Sequence, residues 1–265
     1  MDLHSTHLLV RQATRATFRE IASERPGIIL VRRGQKRILR GRSLVVVNQG
    51  QLALLPADEP LTIENIPATS GVYLASALVL DAGRLPAGSF ERVASDDRAA
   101  AAFERAASAC EDPLVPADIR EHKVGEVLLW LAREGLGAPT PKAQGVVSRL
   151  RALLAREIAA EWTGPDAARA LAMSEATLRR RLAAEGTAFN EILSDLRMTR
   201  ALGLLQTTTL PVGRIALEVG YGCPSRFAAR FRARFGIPPS AIRGRIDRIG
   251  VAIDRTGSNG GGASR

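Results

Sequence analysis

Three consecutive arginines, Arg179, Arg180 and Arg181, follow Ala176 and Thr177 in a segment otherwise rich in Ala and Leu. A guanidinium holds its charge at any physiological pH. Its planar fork of donors matches guanine O6 and N7, or a phosphate. A second segment offers the same chemistry through Ser225, Arg226, Ala229, Arg230 and Arg232. These residue types suit the gripping of a polyanion better than bond making. The residues an enzyme would need are sparse. There are three histidines, His4, His7 and His122, and two cysteines, Cys110 and Cys223, without metal-ligand spacing. A metal centre of the usual kind needs two or three His and an acid converging. No G-x-S-x-G, G-x-x-x-x-G-K-[ST] or H-E-x-x-H occurs. The expectation is a protein with no catalytic residues, no metal and no cofactor.

The charge is unevenly placed. The chain of 265 residues has a net charge of +10. Residues 141–248 contribute +9 of it, residues 1–110 contribute +3, and residues 111–140 contribute −3. A basic block of this kind is the footprint of phosphate neutralisation. Of the basic residues only Lys36, Lys123 and Lys142 are lysines. No apolar run approaches the length of a membrane span and no secretory signal precedes the first strand, so a cytoplasmic setting is expected.

The elements that must carry these side chains follow from periodicity. Residues up to about 90 read as short strands: Gly27–Arg33, Ser43–Val47, Gln51–Leu55, Leu61–Ile66 and Val72–Leu80. Asn48-Gln49-Gly50 is expected to turn a hairpin between the second and third of these. Such spacing points to a small barrel or sandwich. Asp96–Ala109 and Pro116–Glu134 then read as helices. Val124, Val127, Leu128 and Leu131 form a stripe on the second helix, expected either to cover the sheet or to form a homodimer interface. Gly135–Pro141 has the composition of a linker, which divides the chain into residues 1–138 and 139–248. Residues 249–265 read as a disordered tail.

The second half contains a repeat. Pro165–Gly186 and Pro211–Gly236 each start at Pro, run a short helix, turn, and enter a second helix. Leu178 and Leu182 in the first copy, and Phe227 and Phe231 in the second, recur at core spacing. This is the layout of a helix-turn-helix, whose second helix enters the major groove of DNA. A step of about 100° per residue sets Ala176, Arg179 and Arg180 on the face opposite Leu178 and Leu182. Thr177 and Arg181 flank that face, where a phosphate contact is expected. In the second copy Ser225, Arg226 and Ala229 are expected at the groove, with Arg230 and Arg232 toward the backbone. Phe189–Gln206, about 27 Å long as a helix, would join the two units.

These residues resemble the AraC/XylS-type transcriptional regulators. The resemblance lies in Pro211–Tyr221, in Cys223-Pro-Ser-Arg-Phe and in Arg230–Arg243, which follow the pattern I-A-x-x-V-G-F/Y, S-x-F, F-x-x-x-F-G-x-x-P-x-x-Y/W-R. Leu171–Ser174, Leu178, Arg180, Gly186, Phe189 and Leu196-Arg197 add to it. Ala229 stands where an Arg is frequent, and Ile242 where an aromatic is common. The resemblance implies an α+β protein. Its N-terminal part would be a cupin-like β-barrel or sandwich with helices that senses a small-molecule effector or dimerises. Its C-terminal part would be an all-α domain of seven helices with two helix-turn-helix units. It further implies a transcription factor, usually an activator, with double-stranded DNA and RNA polymerase as partners. Two other readings remain. A nonspecific architectural DNA-binding protein would need no base readers, yet Arg179 and Arg180 share an exposed face. A cupin-type enzyme fused to a DNA-binding domain would need two or three histidines and an acid converging in the barrel, whereas His4 and His7 lie near the terminus and His122 in a helix outside it.

Overall fold

The computed structural model describes residues 5–69, 71–138 and 145–243. Its N-terminal part is built of β1 (Thr6–Gln12), β2 (Ala16–Ile21), β3 (Gly27–Arg33), β4 (Gln35–Arg40), β5 (Ser43–Val47), β6 (Leu52–Leu55), β7 (Leu61–Ile66), β8 (Tyr73–Val79) and β9 (Val93–Ala94). They form two antiparallel sheets, ordered β1-β8-β3-β6-β9 and β2-β7-β4-β5. Helices α1 (Asp97–Glu111) and α2 (Ala117–Arg133) cover the five-stranded sheet. The architecture is therefore three layers: helices, sheet, sheet.

The apolar run of β3 follows from this layering. Successive strand side chains point to opposite faces. Ile28 and Leu30 pack with α1 and α2, while Ile29 and Val31 join the core between the sheets. A strand buried on both faces reads as a continuous apolar stretch.

Four strands escaped the sequence reading, β1, β2, β4 and β9, and β4 inverts the expected burial. In β4, Lys36 and Ile38 are buried while Leu39 is exposed. β1 and β2 mix charged with apolar residues, because their outer faces meet solvent and the helical domain. The expected hairpin at Asn48-Gln49-Gly50 does not form. β5 pairs with β4 and β6 pairs with β3, so this turn carries the chain from one sheet to the other. Gly50 adopts a φ of +82° there, and its N–H donates to the carbonyl of Val31.

The dimer stripe is likewise corrected. Val124, Val127, Leu128 and Leu131 are all buried within this chain, against α1 and the five-stranded sheet. A two-layer sandwich with apolar side chains on both faces of one sheet needs a cover, and this stripe supplies it. The linker also starts later than its composition suggests. Leu136 is fully buried in the same core, and residues 135–138 bond with Pro86, Gly88 and Ser89. Residues 139–141 of that segment, and the expected tail 249–265, lie outside the described residues.

Seven helices follow among the described residues: α3 (Val146–Arg156), α4 (Gly164–Ala170), α5 (Glu175–Ala184), α6 (Phe189–Thr207), α7 (Val212–Glu218), α8 (Pro224–Phe235) and α9 (Pro239–Arg243). α6, with 19 residues, serves both repeats. Its Ile192, Leu193 and Leu196 lie in the core of α3–α5. Its Met198, Ala201, Leu202 and Leu205 lie in the core of α7–α9. The second core also takes Ala16 and Phe18 from β2.

Candidate nucleic-acid interface

The two repeats fold alike. α4 ends at Leu171, and Ala172 takes a left-handed φ of +56°. α7 ends at Val219, and Gly220 takes a φ of +80°. The second turn is one residue longer. Ser174 then caps α5, its side-chain oxygen accepting from the Thr177 N–H at 3.2 Å. Glu175 in the first turn suits the positive end of the helix dipole. α8 starts at Pro224, where a missing N–H costs nothing, and stops at Gly236 with a φ of +76°.

Packing fixes which face looks outward. Leu178 and Leu182 of α5, and Phe227, Phe231 and Phe235 of α8, are buried. The three rings pack in series, Phe227 tilted against Phe231 with centroids 5.8 Å apart and Phe231 edge-on to Phe235 at 4.7 Å. The opposite faces carry Ala176, Arg179 and Arg180 on α5, and Ser225, Arg226 and Ala229 on α8; all six are exposed. Arg181, Arg230 and Arg232 are exposed beside them, and Thr177 is half-buried. Thr177 is also engaged locally, its Oγ1 accepting from the Ser174 hydroxyl at 2.9 Å. Arg230 donates to Ser194 Oγ at 3.3 Å, which leans it toward α6.

Among the described residues, no carboxylate pairs with Arg179, Arg180, Arg181, Arg226 or Arg232. Other arginines of this half are neutralised in place. Arg234 donates to Asp195 at 2.8 Å, and Arg214 pairs with Glu218 at 2.9 Å. Uncompensated positive charge is thus present on the outer faces of both second helices.

Arg197 has a different task. It donates to the carbonyls of Ile158 and Ala160 at 3.1 and 2.8 Å, and its guanidinium stands over the Tyr221 ring. Burial lowers its pKa from the free value. It ties the loop before α4 to the turn before α8, so the two units are braced through α6. A Cβ at Gly220 would come within 2.8 Å of this guanidinium. Cys223 is exposed at the N-terminus of α8, and the N–H groups of Arg226 and Ser225 hold its thiol below the usual range.

No cluster of three or more His, Cys, Asp or Glu able to hold a metal occurs among the described residues. His7 pairs with Glu111 at 2.8 Å, and His122 lies on α2.

A polar cluster that the sequence reading did not single out lies between the sandwich and α6. Lys36 Nζ donates to Asn65 Oδ1 at 2.6 Å, Asn65 Nδ2 to Gln12 Oε1 at 2.8 Å, and Gln206 Nε2 to the same Gln12 oxygen at 2.8 Å. Burial alone pushes the Lys36 ammonium down to about 7. One signal was available: in a chain whose basic residues are almost all arginines, Lys36 is one of three lysines.

Residues 167–245 match a family model described as a helix-turn-helix domain. The chain is 39% identical over 113 residues to the ornithine utilization regulator of Pseudomonas aeruginosa, covering 42% of this chain and 32% of that protein. It is 34% identical over 98 residues to the HTH-type transcriptional regulator GadX of Escherichia coli, covering 37% and 36%. The chain thus spans about a third of the length of the curated relatives it matches. Over nearly its whole length it is similar in fold to ToxT from Vibrio cholerae, solved with an unsaturated fatty acid bound. The TM-score is 0.64 at 11% identity, covering 90% of this chain and 94% of that one. The helical C-terminal part thus matches a helix-turn-helix family model, and it is carried here behind a β-sandwich similar in fold to that of ToxT.

Proposed function

We propose that this chain is a sequence-specific DNA-binding transcriptional regulator, with α5 and α8 entering successive major grooves. The carrying observation is the pair of exposed faces whose arginines have no acidic partner, held by buried Leu and Phe ridges on the other side of each helix. Arg179, Arg180 and Arg226 read base edges, with Ala176, Ser225 and Ala229 in van der Waals reach of the groove. Thr177, Arg181, Arg230 and Arg232 meet phosphates. A relative named as the transcriptional activator CfaD of Escherichia coli, 33% identical over 91 residues, supports activation, with RNA polymerase as a further partner. The sandwich domain, residues 1–138, receives a small-molecule effector; residues 139–248 bind DNA.

The reading includes a cytoplasmic protein that needs no catalysis of its own, and no described helix is long and apolar enough to cross a membrane. It also includes a homodimer. Because the α2 stripe is buried, the surface this helix offers a second copy is the one bearing Ile119 and Leu129.

Selection of binding sites from random duplex DNA with the full chain tests the proposal. A recurring motif with two half-sites about one helical turn apart is expected. At fixed salt its affinity should exceed that for scrambled DNA by about a thousandfold or more. Equal affinity for all sequences would mean an architectural protein instead.

A further inference from the structure

Lys36 stands where the sandwich meets α6. It is 5% exposed, and Leu202 and Gln206 of α6 close one side of its surroundings. Among the described residues no carboxylate pairs with it. Side chains from β1, β2, β3, β6, β7, β8 and α6 line the same spot. Tyr73 is the one further titratable group among them, and burial raises its pKa, so it stays neutral. The remaining lining side chains are apolar or amide.

The bonds that dock the helical half on the sandwich start beside this amine. Lys36 Nζ donates to Asn65, Asn65 to Gln12 Oε1, and the same Gln12 oxygen accepts from Gln206 of α6. Gln12 Nε2 donates to the Thr14 carbonyl at 2.7 Å, and Thr14 Oγ1 to the carbonyl of Ala241 in α9 at 2.9 Å. The Ala13 N–H crosses the same junction to the carbonyl of Ile242 at 2.9 Å. A charged amine held out of water is costly, and the cost is lifted by losing the proton or by admitting water. α6 is the wall whose departure admits water without unfolding the sandwich. With α6 in place, burial pushes the Lys36 ammonium from 10.5 down to about 7.

We propose that docking of the helical half on the sandwich is linked to one proton on Lys36: the separated halves hold it, and docking expels it. The sign follows from the two states. The amine titrates near 7 when docked and closer to 10.5 once water reaches it. Docking therefore tightens as pH rises above about 7, by up to about tenfold per unit, and is flat below. A fall from pH 8 to pH 7 loosens the junction. The junction holds the end of α8, through Phe18 against Phe235 and through Arg234 Nη2, which donates to the Glu20 carbonyl at 3.3 Å. The setting of α8 against α5 thus becomes sensitive to pH. That this bears on DNA affinity rests on the regulator reading; the proton linkage does not.

Hydrogen exchange at the Ala13 amide of the full chain, without DNA, reads docking directly, because that amide is bonded across the junction. Its protection factor should rise about tenfold from pH 7 to 8.5 and stay nearly flat from pH 5 to 6.5. It should lie well below that of the β3 amides, whose exchange needs the sandwich itself to open. Lys36→Met should be at least as protected at Ala13 as the wild type at pH 7, and lose the slope. The chain has three lysines, so isotope-labelled lysine gives three Cε signals in NMR, of which one should titrate near 7. Should Lys36→Met not fold, the wild-type slope and this titration decide alone. A protection factor that stays flat above pH 7 would overturn the proposal. So would the lack of any lysine signal titrating near 7, or a folded Lys36→Met that keeps the slope. Equal protection at Ala13 and in β3 would also overturn it, by assigning proton uptake to global unfolding. With DNA added, affinity for the preferred site should rise with docking over the same pH range, because the docked form presents the arginine faces of α5 and α8 outward. An affinity that does not rise, or a protein without sequence preference, would leave the linkage standing and remove its role on DNA.

Discussion

At the scale of single residues, the arginines and the buried Lys36 obey opposite rules. Arg180 is exposed and, among the described residues, no carboxylate pairs with it, so its fork can take a base edge. Arg180→Ala should cost about 1–3 kcal/mol on the preferred site and relax specificity at one position. Competition binding on preferred and scrambled duplexes checks this; an equal loss on both would assign Arg180 to a phosphate. Lys36 carries its cost in the folded state. Its pKa falls from 10.5 to about 7, so the folded protein binds fewer protons than the unfolded chain between those values. Stability should therefore rise with pH through that window, by up to about 1.4 kcal/mol per unit, and be flat in this respect below it. Urea titrations of the wild type and Lys36→Met at pH 6 to 9.5 check this: the difference between them should shrink as pH rises. The exposed arginine face was legible from helical spacing alone. The lysine was not, because a charged residue in an Arg-rich strand reads as surface until a second sheet is packed over it.

Among elements, the two helix-turn-helix turns differ in a way that stability can read. Ala172 holds a left-handed φ without a glycine, whereas Gly220 holds one against the Arg197 guanidinium. Ala172→Gly should be neutral to stabilising, by up to about 1 kcal/mol, because relief of the left-handed strain outweighs the added freedom of the unfolded chain. Gly220→Ala should cost about 1–3 kcal/mol, and weaken DNA binding by shifting the start of α8. Thermal unfolding of both variants, with DNA affinity beside it, checks the pair. α2 offers a second contrast within one turn. Leu128 is 7% exposed and Leu129 70%. Leu128→Asp should destabilise by about 3 kcal/mol or more, as expected for a charge forced into a core. Leu129→Asp should leave stability nearly unchanged and lower self-association in sedimentation. The helical stripe itself was legible; what it covers was not, since a stripe for a sheet and a stripe for a partner have the same period.

For the molecule as a whole, the two halves share a core. Phe18 of β2 packs edge-on against Phe235 at the end of α8, with centroids 5.5 Å apart. Ala13 N–H and Thr14 Oγ1 donate to the carbonyls of Ile242 and Ala241 at 2.9 Å each. α8 is thus held at its C-terminal end by the sandwich. Phe18→Ala should cost about 3–5 kcal/mol, and split one calorimetric transition into two as the halves uncouple. A single transition at an unchanged temperature would mean that the halves are coupled elsewhere. The sequence by itself determined the repeat, the capped second helices, the arginine faces and the basic block, because these rest on contacts a few residues apart. Only the tertiary structure decided which strands pair, that the α2 stripe lies inside, and that Lys36, Asn65, Gln12 and Gln206 meet. Those outcomes depend on contacts between residues as far apart as Gln12 and Gln206, and no local period records them.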